Sequence, residues 1–416
     1  MISEWKKSTI GESCCVVTDG SHFSPKSVSD GYFMVSVKDF TEYGFDFSSC
    51  KKISSQDYEN LKRNGCVPQR NDILIGKDGA RYFEDIVLYN QDEAPALLSS
   101  IAILRCDLSK IIPEFLYYLL RSPSIRQDVR DNYGSGSAIP RIILKDFKRM
   151  PISYPDIGEQ SKIVSILSII DRRIQTNSEI NDNLEQQAQA IFKEWFIENP
   201  ENNEWSTGTF SELIKTTLNG DWGKEAPIGN NAEKVYCIRG ADIPEVKAGN
   251  KGKMPTRYIL PKNFVTKQLT AGDIVVEISG GSPTQSTGRC TAITQSLLDR
   301  YDSGMVCTNF CKAIKPKEGY SLFIYYYWQY LYSKGIFFSY ENGTTGIKNL
   351  DFSGFIETET ILIPPVDKVI AFDDYCKSIF NQIFANGKQN EHLAVLRDTL
   401  LPKLMSGEID VSDIQL

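Results

Sequence analysis

The chain has 416 residues with a formal net charge of −7, long enough for two or three domains with full-sized cores. Ten cysteines include no CxxC pair and only two histidines, His22 and His392, are present. This excludes the usual structural zinc patterns and assigns Cys307 and Cys311 to a core. No apolar run reaches membrane length and no signal-peptide pattern is visible, so the expectation is a cytoplasmic protein in a reducing compartment.

Residues 1–157 open with Trp5 and a short alternating run, followed by a polar loop from Asp19 to Lys26. Alternation between Gly, Asn and Asp turns predicts strands over 33–37, 72–75, 86–88 and 100–105. A helix is predicted over 113–121, with Pro113 in its first turn and Pro123 just past its end. A Gly/Ser loop from Gly134 to Arg141 then precedes a β-like stretch over 149–154. Strands and helices intersperse without a βαβ beat, which predicts a mixed α/β module with a partly antiparallel sheet.

Residues 158–198 form one long amphipathic pattern. Ile163, Leu167, Ile170, Ile174, Leu184, Ile191 and Trp195 recur at three- and four-residue steps on a single stripe, with no Pro or Gly after Gly158 until Pro200. At ~1.5 Å per residue such a helix runs about 55–60 Å, longer than most globular helices, so it needs a partner. Residues 366–405 supply one. A shift of 209 positions lays Ile174 on Ile383, Asn177 on Asn386, Asn181 on Asn390, Leu184 on Leu393 and Ile191 on Leu400. With Ile170 these residues define the expected seam of an intramolecular antiparallel coiled coil, its buried Asn side chains fixing register at some cost in stability.

The linker 199–204 resets the pattern. Trp205 stands 200 positions after Trp5, Gly272-Asp273-Ile274-Val275 stands 201 after Asn71-Asp72-Ile73-Leu74, and Phe323-Ile324-Tyr325-Tyr326 stands 208 after Phe115-Leu116-Tyr117-Tyr118. Landmarks in one order with a slowly drifting offset mark a tandem duplication with a short insertion between Asp273 and Phe323. The expected organisation is a globular module over 1–157, a spacer helix over 158–198, the linker 199–204, a second module over 205–364 and a second spacer helix with tail over 365–416. Antiparallel helices would give the chain an approximate two-fold axis and a binding surface at each end of a rigid spacer. That geometry suits a split reader of double-stranded DNA, whose groove face repeats every ~34–36 Å, and equally a two-site scaffold.

The acid is concentrated on the helices. Residues 156–204 hold 10 acidic and 4 basic side chains, whereas residues 1–155 hold 20 of each, which leaves room for a local basic face on the modules. Catalytic signatures are missing. There is no GxxxxGK[ST], Gly76-Lys77-Asp78-Gly79 is too short to be a P-loop, and no Asn/Asp-Pro-Pro-Tyr/Phe motif indicates a methyltransferase. His22 reads as a ligand-facing or backbone-capping loop histidine, and His392 as a surface residue. Polar and basic loop residues are the candidates for DNA contact, because cations and hydroxyls hold phosphates while Arg, Asn and Gln read bases. The first module offers Ser21, His22, Ser24, Lys26, Lys77, Arg81, Ser135, Ser137 and Arg141. The second offers Asn219, Trp222, Lys224, Arg239, Ser282, Thr284, Gln285, Arg289, Thr344, Thr345 and Lys348.

Several stretches together resemble the specificity subunits of type I restriction-modification systems. They are Trp5 with Asp72-Ile73-Leu74, the Gly134-Ser135-Gly136 loop, Pro151 and Pro155 with Glu159-Gln160 leading into Ile163 and Leu167, and the closing run from Leu400 to Ile409. The second copy departs from the pattern, with Pro364-Pro365-Val366-Asp367-Lys368 in place of the Glu-Gln helix entry, which bears on partner contacts at that end. The resemblance implies two target recognition domains, each reading half of a split site in double-stranded DNA, and spacer helices that set the gap and dock two methyltransferase subunits. It implies restriction and translocase subunits in the full complex, no membrane association, and no metal or catalytic residue in this chain. S-adenosylmethionine, ATP and Mg would then belong to the partner subunits. The other reading is a two-headed protein-binding scaffold that never touches DNA.

Overall fold

The computed structural model describes residues 5–134, 140–199, 204–282, 285–343, 346–412 and 414. The chain divides into two compact units, Met1–Asp171 with Val395–Leu416, and Arg172–Ala394. Each contains a mixed α/β module and a stretch of both long helices.

In the first unit, strand Lys6–Thr9 pairs antiparallel with Pro151–Tyr154 and so ties the two ends of the module together. A capping box between Thr9 and Glu12 starts the turn Ile10–Ser13, which feeds strand Cys14–Asp19. That strand edges an antiparallel sheet continued by Ile101–Cys106, Ile73–Gly76 and Ile86–Leu88. Ile73 and Ile75 face a core with Ala102, Leu104 and Phe115, whereas Leu74 between them faces Val35, Phe45 and Leu97. Both faces of the strand are covered, which explains its unbroken apolar run. A second sheet sets Tyr32–Val35 between antiparallel Lys51–Ile53 and parallel Ala96–Leu97.

The predicted helix is present as Pro113–Arg121 and lies in the first core together with Ile163 and Leu167 of one long helix and Leu401, Leu404 and Met405 of the other. Gln160 fastens the helix entry. Its Oε1 accepts from Ile112 N at 2.8 Å, and its Nε2 donates to the carbonyls of Lys110 at 3.1 Å and Pro155 at 2.9 Å.

The second unit repeats these three sheets and adds a small antiparallel one in which Lys348–Leu350 lies between Ser279–Gly280 and Glu341–Asn342. Ser206–Thr209 pairs with Thr360–Ile363, and Thr209 with Glu212 repeats the capping box. The four-stranded sheet runs Ile214–Asn219, Cys311–Pro316, Ile274–Glu277 and Cys290–Ala292, with the same register shift after its first residue as in the first copy. Glu233–Ile238 again sits between an antiparallel strand, Thr256–Ile259, and a parallel one, Gly304–Cys307. The duplicated mixed α/β architecture read from the sequence is thus present. The insertion falls between the strands Ile274–Glu277 and Cys311–Pro316 and carries the short helix Gln295–Leu298. The core here is aromatic, with Phe323, Tyr326, Tyr327 and Trp328 of helix Ser321–Ser333 packed among Phe192, Phe196, Phe210, Phe355 and Phe372.

The two long helices run Ile157–Phe192, continued by a π-type turn Lys193–Ile197, and Val366–Met405. Within the second unit they lie antiparallel. Asn177 donates to Asn390 Oδ1 and Asn386 donates to Asn181 Oδ1, both at 2.8 Å, while Ile174 and Ile383 are buried. Leu184, Ile191 and Leu393 are only half-buried, as is Leu400 in the first unit, and Ala188 and Phe192 fill the interior positions instead. The seam is therefore broader than a strict coiled-coil stripe, because a module packs against the pair on one side. Trp195 is also half-buried, since the wider π turn carries Phe196 inward. In the first unit Ile170 is buried and Asp171 accepts from Tyr118 Oη at 2.8 Å and Arg397 Nη1 at 2.9 Å. Among the described residues no helix is long and apolar enough to cross a membrane.

Candidate DNA interface

The sequence-predicted loop residues lie on several surfaces, but one end of each module collects four segments through a shared backbone framework. In the first module Ser21 N donates to Leu97 O at 2.7 Å, Lys77 N to Ser100 O at 2.9 Å and Ile142 N to Lys77 O at 3.0 Å. In the second, Asp221 N donates to Cys307 O, Ile278 N to Phe310 O and Leu350 N to Ile278 O, each at 2.8 Å. Gly20 and Gly220 permit the closest crossing, since a Cβ there would stand 2.3 Å from Leu97 O and 1.8 Å from Thr308 O respectively. The framework equates His22 with Trp222, Ser100 with Phe310, and Arg141 with Asn349. The scaffold is the same in both copies and the side chains at its tips differ.

In the second module the tips surround a cavity of about 560 Å3 lined by Trp222, Arg239, Glu277, Ser279, Phe310 and Ile347. Trp222 lies against the Arg257 guanidinium, 3.6 Å from ring centroid to Cζ, and Arg257 is held by Glu225 at 3.1 Å. Phe310 and Ile347 stay 59% and 65% exposed. The cations around them are already engaged. Arg239 grips both oxygens of Asp242, at 2.9 and 3.0 Å, which holds its guanidinium above the usual arginine range, and Lys348 meets Glu341 at 2.7 Å. Such a surface offers flat aromatic and apolar tips with an exposed amide, Asn349, suited to stacking and edge contacts more than to bulk phosphate attraction. Phe310, Ile347 and Asn349 were not among the sequence candidates. The alignment of the two copies through Ser100 and Arg141 is the signal that would have found them.

In the first module the His22 side chain is 77% exposed, with Nε2 3.4 Å from Asp19, and Phe23 beside it is exposed as well. Arg141 is exposed and its backbone bridges to Asp78. Lys26 is exposed, Ser24 accepts from Lys51 Nζ at 2.7 Å, and Arg81 is tied to Asp85 at 2.6 Å. Lys77 is buried between Asp19 at 3.3 Å and Asp78 at 3.7 Å, and the buried Ser21 hydroxyl donates to Phe23 O at 2.7 Å. These two residues build the loops instead of presenting a free polar group, because a buried cation or hydroxyl must be partnered.

Other candidates lie elsewhere. Gln285 and Arg289 line a separate cavity of about 420 Å3 with Asn181, Lys247 and Gln329, where Arg289 grips Glu277 at 2.7 and 2.8 Å. Lys224 bridges to Tyr258, Asn219 ends its strand opposite Lys312, and Ser282 N donates to Gln285 O at 2.7 Å. Ser135, Ser137, Thr284, Thr344 and Thr345 lie outside the described residues. Among the described residues no group of three His, Cys, Asp or Glu side chains is placed to hold a metal.

A twice-built α/β module whose loops gather at one end, carried on antiparallel helices, defines a class of modular recognition protein. Residues 2–186 match the family described as type I restriction modification DNA specificity domain, and the chain is similar to type I specificity subunits. The type I restriction enzyme MjaIX specificity subunit of Methanocaldococcus jannaschii is 27% identical over 330 residues, covering 73% of this chain and 71% of that subunit. The HindI specificity subunit of Haemophilus influenzae is 23% identical over 430 residues, covering 88% and 90%. The crystal structure of a type I restriction-modification S subunit from M. genitalium shares the fold, with a TM-score of 0.54 at 17% identity over 97% of this chain and 96% of that one.

Proposed function

We propose that the chain reads a bipartite site in double-stranded DNA, one half per module, as the non-catalytic specificity subunit of a type I restriction-modification complex. The helix pair sets the distance between half-sites and docks two methyltransferase subunits, and restriction and translocase subunits complete the assembly. S-adenosylmethionine, ATP and Mg are handled by those partners. The observation that carries this reading is the repeated four-segment platform, fastened by matching backbone hydrogen bonds but tipped by His22 and Arg141 in one copy and by Trp222, Phe310 and Asn349 in the other. Two different tips on one scaffold are what two different half-sites require.

The test is to map methylated bases by single-molecule sequencing in cells expressing this chain with its cognate methyltransferase, with the methyltransferase alone as control. A split motif with a fixed gap, present only with this chain, is expected. Exchanging residues 1–157 for those of a relative should change one half of the motif and leave the other. The platform's carboxylate-paired cations favour a second reading, a two-headed protein-binding scaffold. An active complex with no chain-dependent motif and no salt-sensitive DNA affinity would establish that reading instead.

A further inference from the structure

An arginine-lined cavity in the first unit lies outside the loop platform. Its volume is about 450 Å3, and its lining includes Arg121, Arg126, Arg130, Arg397, Gln127 and Asp398. Helices Pro113–Arg121 and Pro123–Asn132 supply the first three arginines, and the long C-terminal helix supplies the fourth.

The four cations are not equally satisfied. Arg397 is neutralised, with Nη1 2.9 Å from Asp171 and Nε 2.9 Å from Asp398. Arg121 rests over the Tyr117 ring, 4.9 Å from the centroid, and donates to its hydroxyl. Arg126 donates from Nη2 to the Glu84 carbonyl at 3.2 Å, yet its Nε is shut off from solvent without any acceptor. Arg130 is exposed. Among the described residues no carboxylate lies within ion-pair distance of Arg121, Arg126 or Arg130, although Glu84 stands near enough to act on Arg126 through space. Burial and the adjacent Arg121 charge together push Arg126 below the usual arginine range, the mark of a cation held among cations.

Crowding guanidinium groups that have no carboxylate partner is unfavourable, so an anion in the cavity would stabilise the arrangement. We propose that this cavity is a binding site for a phosphoryl group. A phosphate monoester carries about −1.5 to −2 charges and three acceptor oxygens, enough to answer three guanidinium forks, whereas one carboxylate leaves the cluster positive. The cavity is also within the ~300–1,000 Å3 that encloses a small ligand.

The test uses the full chain and inorganic pyrophosphate as probe. Isothermal titration calorimetry should show one saturable site with a sub-millimolar dissociation constant, absent with chloride at equal ionic strength. Arg130→Gln, an exposed position where folding is not at stake, should weaken it at least tenfold, and Arg126→Gln should do so at an unchanged circular-dichroism spectrum. A competing arm separates the sources of phosphate. Displacement of pyrophosphate by a short duplex lacking the recognition site assigns the cavity to backbone phosphates of DNA, and failure of the duplex to compete assigns it to a free phosphorylated compound. Absence of saturable binding, or binding that Arg130→Gln and Arg126→Gln leave unchanged, overturns the proposal.

Discussion

Asn386 donates from Nδ2 to Asn181 Oδ1 at 2.8 Å, and Asn181 passes its own Nδ2 hydrogens to the carbonyls of Ile383 and Ala248, both at 3.1 Å. The pair is buried, so removing one partner leaves several polar groups dry. Asn181→Ala should cost about 1–3 kcal/mol in urea unfolding. Asn181→Leu with Asn386→Leu should cost less than the two single changes summed, since neither side chain is then left unsatisfied.

Gly387 lies inside the second long helix, where glycine normally costs about 1 kcal/mol relative to alanine. A Cβ there would stand 1.9 Å from Gly249 O, and Gly249 itself, at φ +82°, has Ile383 O 2.4 Å from its own Cβ position. Backbone lies on both sides and neither can yield easily. Gly387→Ala should therefore destabilise by about 1–3 kcal/mol despite its better helix propensity, read as a lower midpoint in thermal or urea unfolding.

The exposed tips Phe310 and Ile347 add little to folding. Replacing either by Ala should leave the melting temperature within about 2 °C, and Phe310→Ala should lower the affinity of the assembled complex for its DNA by about 1–3 kcal/mol through its lost stacking contact. Asn349→Ala should relax base preference in the half-site of the second module only, measured by methylation of a library of site variants. Loss of both half-sites from one such change would contradict the modular reading.

Burial pushes the Cys290 thiol up to about 12, and Cys237 and Cys311 likewise to about 12. An unfolded thiol ionises near ~8.5, so between that value and 12 the unfolded chain releases protons that the folded chain keeps. The unfolded state then binds fewer protons and stability falls as pH rises. Urea midpoints should decline from pH 8.5 to 10, before tyrosine ionisation contributes, and mass-spectrometric alkylation at pH 8 should label exposed Cys15 far faster than these three.

The sequence made the architecture readable because apolar periodicity and the repeat are both local or ordered signals. Ile73, Ile274, Phe115 and Phe323 mark the same places in both copies, and the helix at Pro113–Arg121 follows from its two prolines. The platform was harder to read. Lys77 and Arg141 share one backbone ladder through Asp78 and Ile142, a relation set by tertiary pairing with no trace in composition. Lys77 was legible as a loop cation, but the carboxylates of Asp19 and Asp78 that consume its charge come from separate turns. Phe310 lies between the core cysteines Cys307 and Cys311, and the turn after Thr308 leaves it exposed.

Residues Val395–Leu416 pack into the first unit, where Leu404 and Met405 share a core with Ile10 and Phe115, and Gly407 sits 3.3 Å from Trp5 at its Cβ position. On the ribosome, the piece that completes the earliest-made module is therefore the one translated after the whole of Arg172–Ala394. The half of the chain that emerges first is the half that must wait, and its apolar face stays uncovered through synthesis of everything between. A stop codon near Ala394 would strip Leu401, Leu404 and Met405 from the core around Ile10 and Phe115, far upstream of the lesion.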